Sequence, residues 1–190
     1  MPHTSASTRT TIGRTPVVSV WICLLALLLA SFRDPSSGAK EYEVKAAFLY
    51  NFAKFLTYPD AAFASAEAPF VIGVLGEDPF GEALDAALRG KKIGKRTIVI
   101  ERYSKLGTVR TPHILFVARS ESARQAEIVR MLDSRPLFLI GDMEGFAALG
   151  ATANFFTEKN SLRFAISTGA AKTSRIQISA QLLKLAQVIP

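Results

Sequence analysis

The sequence predicts an α/β domain with a largely parallel sheet flanked by helices, closed by a C-terminal β-hairpin and a final helix. Three observations carry this. Four short apolar runs, F-V-I-G-V-L-G from Phe70, R-T-I-V-I-E from Arg96, I-L-F-V-A from Ile114 and P-L-F-L-I from Pro136, are bounded by Gly, Pro or charge. Most are rich in β-branched residues; the first reads as a strand buried on both faces and the fourth as another buried strand. Segments of helical period lie between them on short connections, the order that packs helices against a parallel sheet through right-handed crossovers. After Gly150 the period changes: Ala151-Thr-Ala-Asn-Phe-Phe and Leu162-Arg-Phe-Ala-Ile-Ser flank the polar Glu158-Lys159-Asn160, which reads as a hairpin with alternating faces.

The elements follow in order. Over residues 41–56, Val44, Phe48, Phe52 and Phe55 recur at intervals of four, four and three, which predicts a helix with one apolar face, ended by Pro59. The first strand starts at Phe70. Asp78-Pro79 then supplies an N-cap and a proline at the first helical position, opening a helix to about Leu88 that stops at Gly90. The basic turn Gly90-Lys91-Lys92-Ile93-Gly94-Lys95 leads into the second strand, residues 96–101, and the third covers 114–118. Ser120 is the expected cap of a helix to about Asp133, with Ala123, Ile128, Met131 and Leu132 available for packing. The fourth strand ends at Gly141-Asp142, and a closing helix over roughly 179–188 carries Leu182, Leu183, Leu185 and Ala186. There is no internal repeat and no low-complexity tract.

Composition bounds the function. With 190 residues, 49% of them hydrophobic and 21% charged, the chain is too apolar for intrinsic disorder and long enough to build its core without metal or disulfide. The apolar residues are unevenly spread. Residues 17–30 are almost unbroken, follow Arg9 and Arg14 with no acid, and precede Ser37-Gly38-Ala39, whose small residues fit cleavage after Ala39. Residues 1–39 are therefore the expected signal peptide and residues 40–190 the mature domain. An uncleaved anchor is disfavoured because this apolar run of 14 residues, Ser19 included, falls short of the roughly 18 that span a bilayer. A lipoprotein is disfavoured because Cys23 follows Val20-Trp21-Ile22 rather than small residues.

Cleavage removes Arg9, Arg14, Arg33 and Asp34, so the net charge of +7 becomes +5. It also removes the only cysteine, the only tryptophan and His3, leaving His113 as the mature chain's histidine. Cysteine nucleophiles, redox disulfides and Cys/His zinc sites are excluded from that inventory, and no cofactor or metal is expected.

The candidate sites are few. Gly76 and Gly81 have the spacing of a phosphate loop, but Glu82-Ala83 stands where Lys-Ser/Thr is needed and Glu77, Asp78 and Glu82 repel phosphate. Lys91, Lys92, Lys95 and Arg96 read as solvated turn charge, and an exported protein has no use for a nucleic-acid partner. His113, without a second ligand or nucleophile, reads as a packing residue. No serine lies in G-x-S-x-G or S-x-x-K, so no catalytic residue is assigned. Glu77 and Asp142 share the carboxyl edge of the sheet, a place where an acid/base pair can sit, but helix caps are the commoner role for carboxylates there. That edge is also where an open α/β sheet binds ligands, and there Glu77, Asp78, Arg102, Arg119 and Asp142 are candidates for a small polar ligand or a partner's acidic side chain. For a protein partner, the aromatics of the first helix and its end, Tyr50, Tyr58 and Phe63, are the candidate anchors, with core packing the competing role.

The runs Val44-Lys-Ala-Ala-Phe-Leu-Tyr-Asn-Phe-Ala-Lys-Phe-Leu-Thr-Tyr-Pro59, Ile72-Gly-Val-Leu-Gly-Glu-Asp-Pro-Phe-Gly81, His113-Ile-Leu-Phe-Val117 and Ile178-Ser-Ala-Gln-Leu-Leu-Lys-Leu-Ala186 resemble, in order, the YfiR/HmsC-type family of small periplasmic proteins. The resemblance implies an exported α/β domain without known catalysis. It further implies a periplasmic repressor that binds the sensor domain of a membrane-bound diguanylate cyclase and lowers cyclic di-GMP and biofilm formation. A periplasmic small-ligand-binding protein feeding a sensor kinase or an outer-membrane receptor is the alternative, and a homodimer is open. The sequence departs from the family pattern at Pro112, where a cysteine often precedes the histidine, so a disulfide-controlled mechanism is excluded. Tyr58-Pro59 replaces Trp-Pro, and Ser167 and Ser174 stand where Asn and Gly are common.

Overall fold

The computed structural model describes residues 35–190, so the expected signal peptide lies outside the described residues except at its C-terminal end. Along the chain come α1 (Pro35–Lys54), β1 (Leu56–Thr57), β2 (Phe70–Leu75), α2 (Glu82–Leu88), β3 (Lys92–Ile93), β4 (Arg96–Tyr103), β5 (Ile114–Val117) and α3 (Gln125–Leu132). Then follow β6 (Phe138–Gly141), β7 (Ala153–Glu158), β8 (Ser161–Ser167), α4 (Thr168–Thr173), β9 (Gln177–Ile178), α5 (Ala180–Leu183) and β10 (Gln187–Ile189).

Eight strands form one sheet in the order β10-β8-β7-β6-β5-β2-β4-β3, while β1 and β9 make a separate two-stranded ladder. β4, β2, β5, β6 and β7 are mutually parallel, β8 returns antiparallel to β7, and β10 lies parallel to β8. The expected mixed, largely parallel α/β domain is present. After β2 the chain adds β4 on one side and β5 on the other, so the connections reverse direction at β2. Such a reversal leaves a crevice beyond the carboxyl ends of the strands.

Alternation along each strand feeds two cores. Ile72, Val74, Ile114, Phe116, Phe138 and Ile140 face one side with Ala46, Leu49 and Phe52 of α1 and Leu84 and Leu88 of α2. Leu75, Leu115, Val117 and Leu139 face the other with Ile128 and Leu132 of α3 and with Phe146. This two-sided burial explains why those strands read as continuous apolar runs. On the α1 side, the Phe52 ring packs edge-on to Phe164 at 4.9 Å between centroids and also meets Phe48, Phe138 and Phe155. The hairpin turns through Lys159 and Asn160, both left-handed at φ 47° and 62°, the geometry whose twist matches paired strands.

The elements differ from expectation in four places. The buried stripe of α1 is rotated by about one residue: Val44 is 46% exposed, whereas Lys45, Ala46, Leu49, Phe52 and Ala53 are buried. Asp78 does not cap α2. Its Oδ1 accepts the Phe80 N–H at 2.8 Å, closing a turn, and α2 starts later, after Gly81 at φ 52°. Ser120 lies inside a 3-10 turn (Arg119–Arg124) that precedes α3 and accepts the Glu77 N–H at 2.9 Å instead. The closing helix is one turn long, capped by Ser179, and the chain after it becomes β10, because β8 offers a free ladder to pair with.

Candidate functional site

Two charge clusters stand at the carboxyl edge of the parallel strands. The first is at the reversal point. Gly76 ends β2 at φ 97°, where a side chain would meet Ser120 Oγ at 2.5 Å, so glycine alone allows the two loops to touch. Asp78 Oδ2 follows, 2.7 Å from Arg102 Nε at the end of β4, while Arg102 Nη2 reaches Asp85 Oδ2 on α2 at 2.5 Å and the Gly81 carbonyl at 3.2 Å. The hydrogen bonds it donates to Asp78 and Asp85 push the guanidinium pKa further up. Glu77, adjacent in sequence, is exposed and contributes only its backbone N–H.

The second cluster is centred on Asp142, immediately after β6. Its side chain is 1% exposed, as is that of Lys45, whose Nζ lies 2.5 Å from Asp142 Oδ2 and 2.6 Å from Glu41 Oε1 one turn back. The Tyr42 hydroxyl donates to the same Oδ2 at 2.7 Å, and Arg119 Nε approaches it at 3.4 Å. Burial and the carboxylate together push the Tyr42 pKa well up, so its hydroxyl keeps its proton. Asp142 Oδ2 thus serves Lys45, Tyr42 and Arg119, while Asp142 Oδ1 is buried with no partner among the described residues. This is the geometry of a held ion pair, in which Glu77, the suggested acid/base partner, takes no part.

A groove of about 990 Å³ opens beside this cluster, lined by Arg119, Ser122, Gln125, Asp142, Asn154 and Phe156 among others. Gln125, at the start of α3, also has a buried oxygen, Oε1, without a partner.

At the opposite, amino-terminal edge the aromatics gather around His113. Its ring lies between Phe63 (4.3 Å, stacked) and Phe70 (4.8 Å, stacked), with Tyr58 edge-on at 5.5 Å. Nδ1 accepts the Val71 N–H at 2.9 Å, which assigns the proton to Nε2, 3.2 Å from the Ala62 carbonyl. Burial lowers the His113 pKa below its usual 6.5. The Tyr58 hydroxyl donates to the His113 carbonyl at 2.6 Å, and burial pushes its pKa up. Phe63 also carries Arg96 on its other side, at 3.7 Å from the ring centroid, and Arg96 binds the Ser65 and Ala68 carbonyls. Tyr50 is half-buried on α1, with Lys91 Nζ 4.4 Å and Lys54 Nζ 5.5 Å from its ring centroid.

The structure therefore joins Asp78 to Arg102 and Arg119 to Asp142, leaves Glu77 outside both, and builds Tyr58 and Phe63 into one aromatic packing cluster apart from Tyr50. Sequence reasoning missed Lys45, Tyr42 and Gln125. The Glu41/Lys45 spacing of four residues on a helix was the available signal for the first.

Among the described residues, no helix is long and apolar enough to cross a membrane and no group of His, Cys, Asp and Glu is arranged to hold a metal ion. A family model described as YfiR/HmsC-like matches residues 42–187. No curated protein matches the chain. Among solved structures, a conserved domain protein from Vibrio cholerae O1 biovar El Tor aligns with a TM-score of 0.45 at 12% identity, covering 63% of this chain and 54% of that one. The chain thus spans about half the length of that protein.

Proposed function

The chain belongs to the YfiR/HmsC-like family, and from that premise we propose that it is a non-enzymatic periplasmic regulator. It binds the periplasmic sensor domain of a membrane-bound diguanylate cyclase, represses it, and so lowers cyclic di-GMP and biofilm formation. The observation that carries this reading is the family match over residues 42–187, which takes in almost every described element. The site chemistry is compatible with it. The charges of Lys45, Asp142, Asp78 and Arg102 are held in ion pairs rather than presented to a reacting group, and residues 40–190 contain no cysteine to act as nucleophile or redox sensor.

Deletion of the gene is the direct experiment. Cellular cyclic di-GMP should rise, and affinity purification from detergent-solubilised membranes should recover a diguanylate cyclase. Unchanged nucleotide together with no membrane partner overturns the proposal. A second reading, a periplasmic ligand-binding protein that feeds a sensor kinase or an outer-membrane receptor, is favoured by the groove beside Asp142. It is distinguished by recovery of a kinase or receptor in place of the cyclase.

A further inference from the structure

We propose that the groove beside Asp142 binds a neutral, hydroxyl-rich ligand, a saccharide or other polyol. The inference starts from hydrogen-bonding capacity that the protein leaves unused. Asp142 directs Lys45, Tyr42 and Arg119 to a single oxygen, Oδ2, and leaves the buried Oδ1 bare. Gln125 donates through Nε2 to the Ser122 carbonyl at 3.2 Å, which fixes its amide and leaves the buried Oε1 bare as well. Both residues line the same groove. Neighbouring Asn154 is already committed, accepting the Ala147 N–H and donating to the Phe155 carbonyl. Buried acceptors without donors are uncommon in folded proteins, and two in one groove ask for a ligand that brings O–H or N–H groups.

Charge narrows the class. Glu41 and Asp142 are balanced by Lys45 and Arg119, and the groove carries one further carboxylate, the exposed Glu144, which also disfavours an anion. A cation would meet two positive side chains already at the carboxylate, and an anion would meet the two bare acceptors. A hydroxyl group does both jobs, donating to one oxygen and accepting from a guanidinium. Arg119 supplies that guanidinium: it is 67% exposed and only its Nε is engaged, at Asp142, among the described residues, so a ligand reaches the solvent-closed Asp142 carboxylate once this side chain moves aside. Half-buried Phe156 offers an apolar wall for the C–H face of a sugar ring. The groove volume of about 990 Å³ is within the range of small-molecule sites.

This goes beyond the regulatory reading and does not depend on it. The test is titration calorimetry and thermal shift on the purified full chain with glucose, galactose, N-acetylglucosamine and cellotetraose, with inorganic phosphate and ammonium chloride as charged comparisons. At least one saccharide should bind saturably. Gln125→Met and Arg119→Met should each weaken it about tenfold or more, with the ligand-free melting temperature close to that of the unmodified protein. Absence of saccharide binding up to millimolar concentration overturns the proposal. So does binding that both variants leave unchanged, or tighter binding of phosphate or ammonium that these variants abolish.

Discussion

Lys45 on the first helix and Asp142 at the end of β6, 97 positions apart, meet at 2.5 Å with each side chain 1% exposed. The pair fixes the angle of α1 over the carboxyl edge, because the helix can bury a lysine there only where a carboxylate awaits it. Removing one member of such a pair strands the other charge away from water. Lys45→Met should therefore cost about 3–5 kcal/mol in denaturant unfolding, whereas Lys45→Met combined with Asp142→Leu should recover most of the loss. A double variant as unstable as the single one would show that the pair contributes more than mutual neutralisation.

That pair also marks where the sequence stops being legible. Strands β2, β5 and β6 could be read because both faces are buried, so Ile114 to Val117 is apolar throughout. The hairpin could be read because Lys159-Asn160 sits between alternating runs. Lys45 could not, since a lysine between Val44 and Ala46 reads as the wet side of a helix unless its partner is known, and the partner is a tertiary fact. The same blindness shifted the predicted face of α1 toward Val44. Asp78 misled for a local reason: an aspartate before proline suits both a helix cap and a closed turn, and Arg102, 24 positions on, engages its other oxygen. Gln125 carried no signal at all, because its amide matters only through the groove it lines.

His113 gives the protein an acid-sensitive element. Its ring is neutral in the folded state, accepting from Val71 through Nδ1, and burial lowers its pKa from 6.5. Below pH 6.5 the unfolded chain takes up a proton that the native state refuses, so stability rises with pH through this window and is complete above it. Imidazole shifts in NMR should titrate below 6.5. Unfolding free energies should fall on acidification from pH 7 to pH 5, with a shallower slope in His113→Leu, which also loses the acceptor for the Val71 N–H. An identical slope in the variant would assign the acid sensitivity to the carboxylates.

Arg102 should matter much less than its two ion pairs suggest. Its side chain is 41% exposed and Asp85 is 46% exposed, so solvent and salt screen both contacts. Arg102→Ala should cost no more than about 1 kcal/mol, with the difference shrinking as salt rises from 0.05 to about 0.5 M. A larger, salt-independent loss would mean that the fork to Asp78, Asp85 and the Gly81 carbonyl holds the reversal-point loop as a rigid unit.

Substitutions at Tyr58 and Tyr50 distinguish packing from the proposed partner contact. Tyr58→Phe removes the hydroxyl donated to the His113 carbonyl, but that carbonyl still accepts the Phe138 N–H at 2.8 Å, so the loss should be only about 1 kcal/mol. Tyr58→Ala deletes a ring packed on Phe63, Phe70 and His113 and should cost about 3–5 kcal/mol. Any fall in repression by that variant then follows from unfolding. Tyr50 also packs against the main core, but two exposed lysines, Lys54 and Lys91, flank its half-buried ring, and this aromatic, cationic patch is the proposed contact for an acidic partner surface. Tyr50→Ala should lower repression of cyclic di-GMP with little change in melting temperature, and Tyr58→Phe should leave repression intact. If Tyr50→Ala melts as early as Tyr58→Ala, the ring belongs to the core and the partner docks elsewhere.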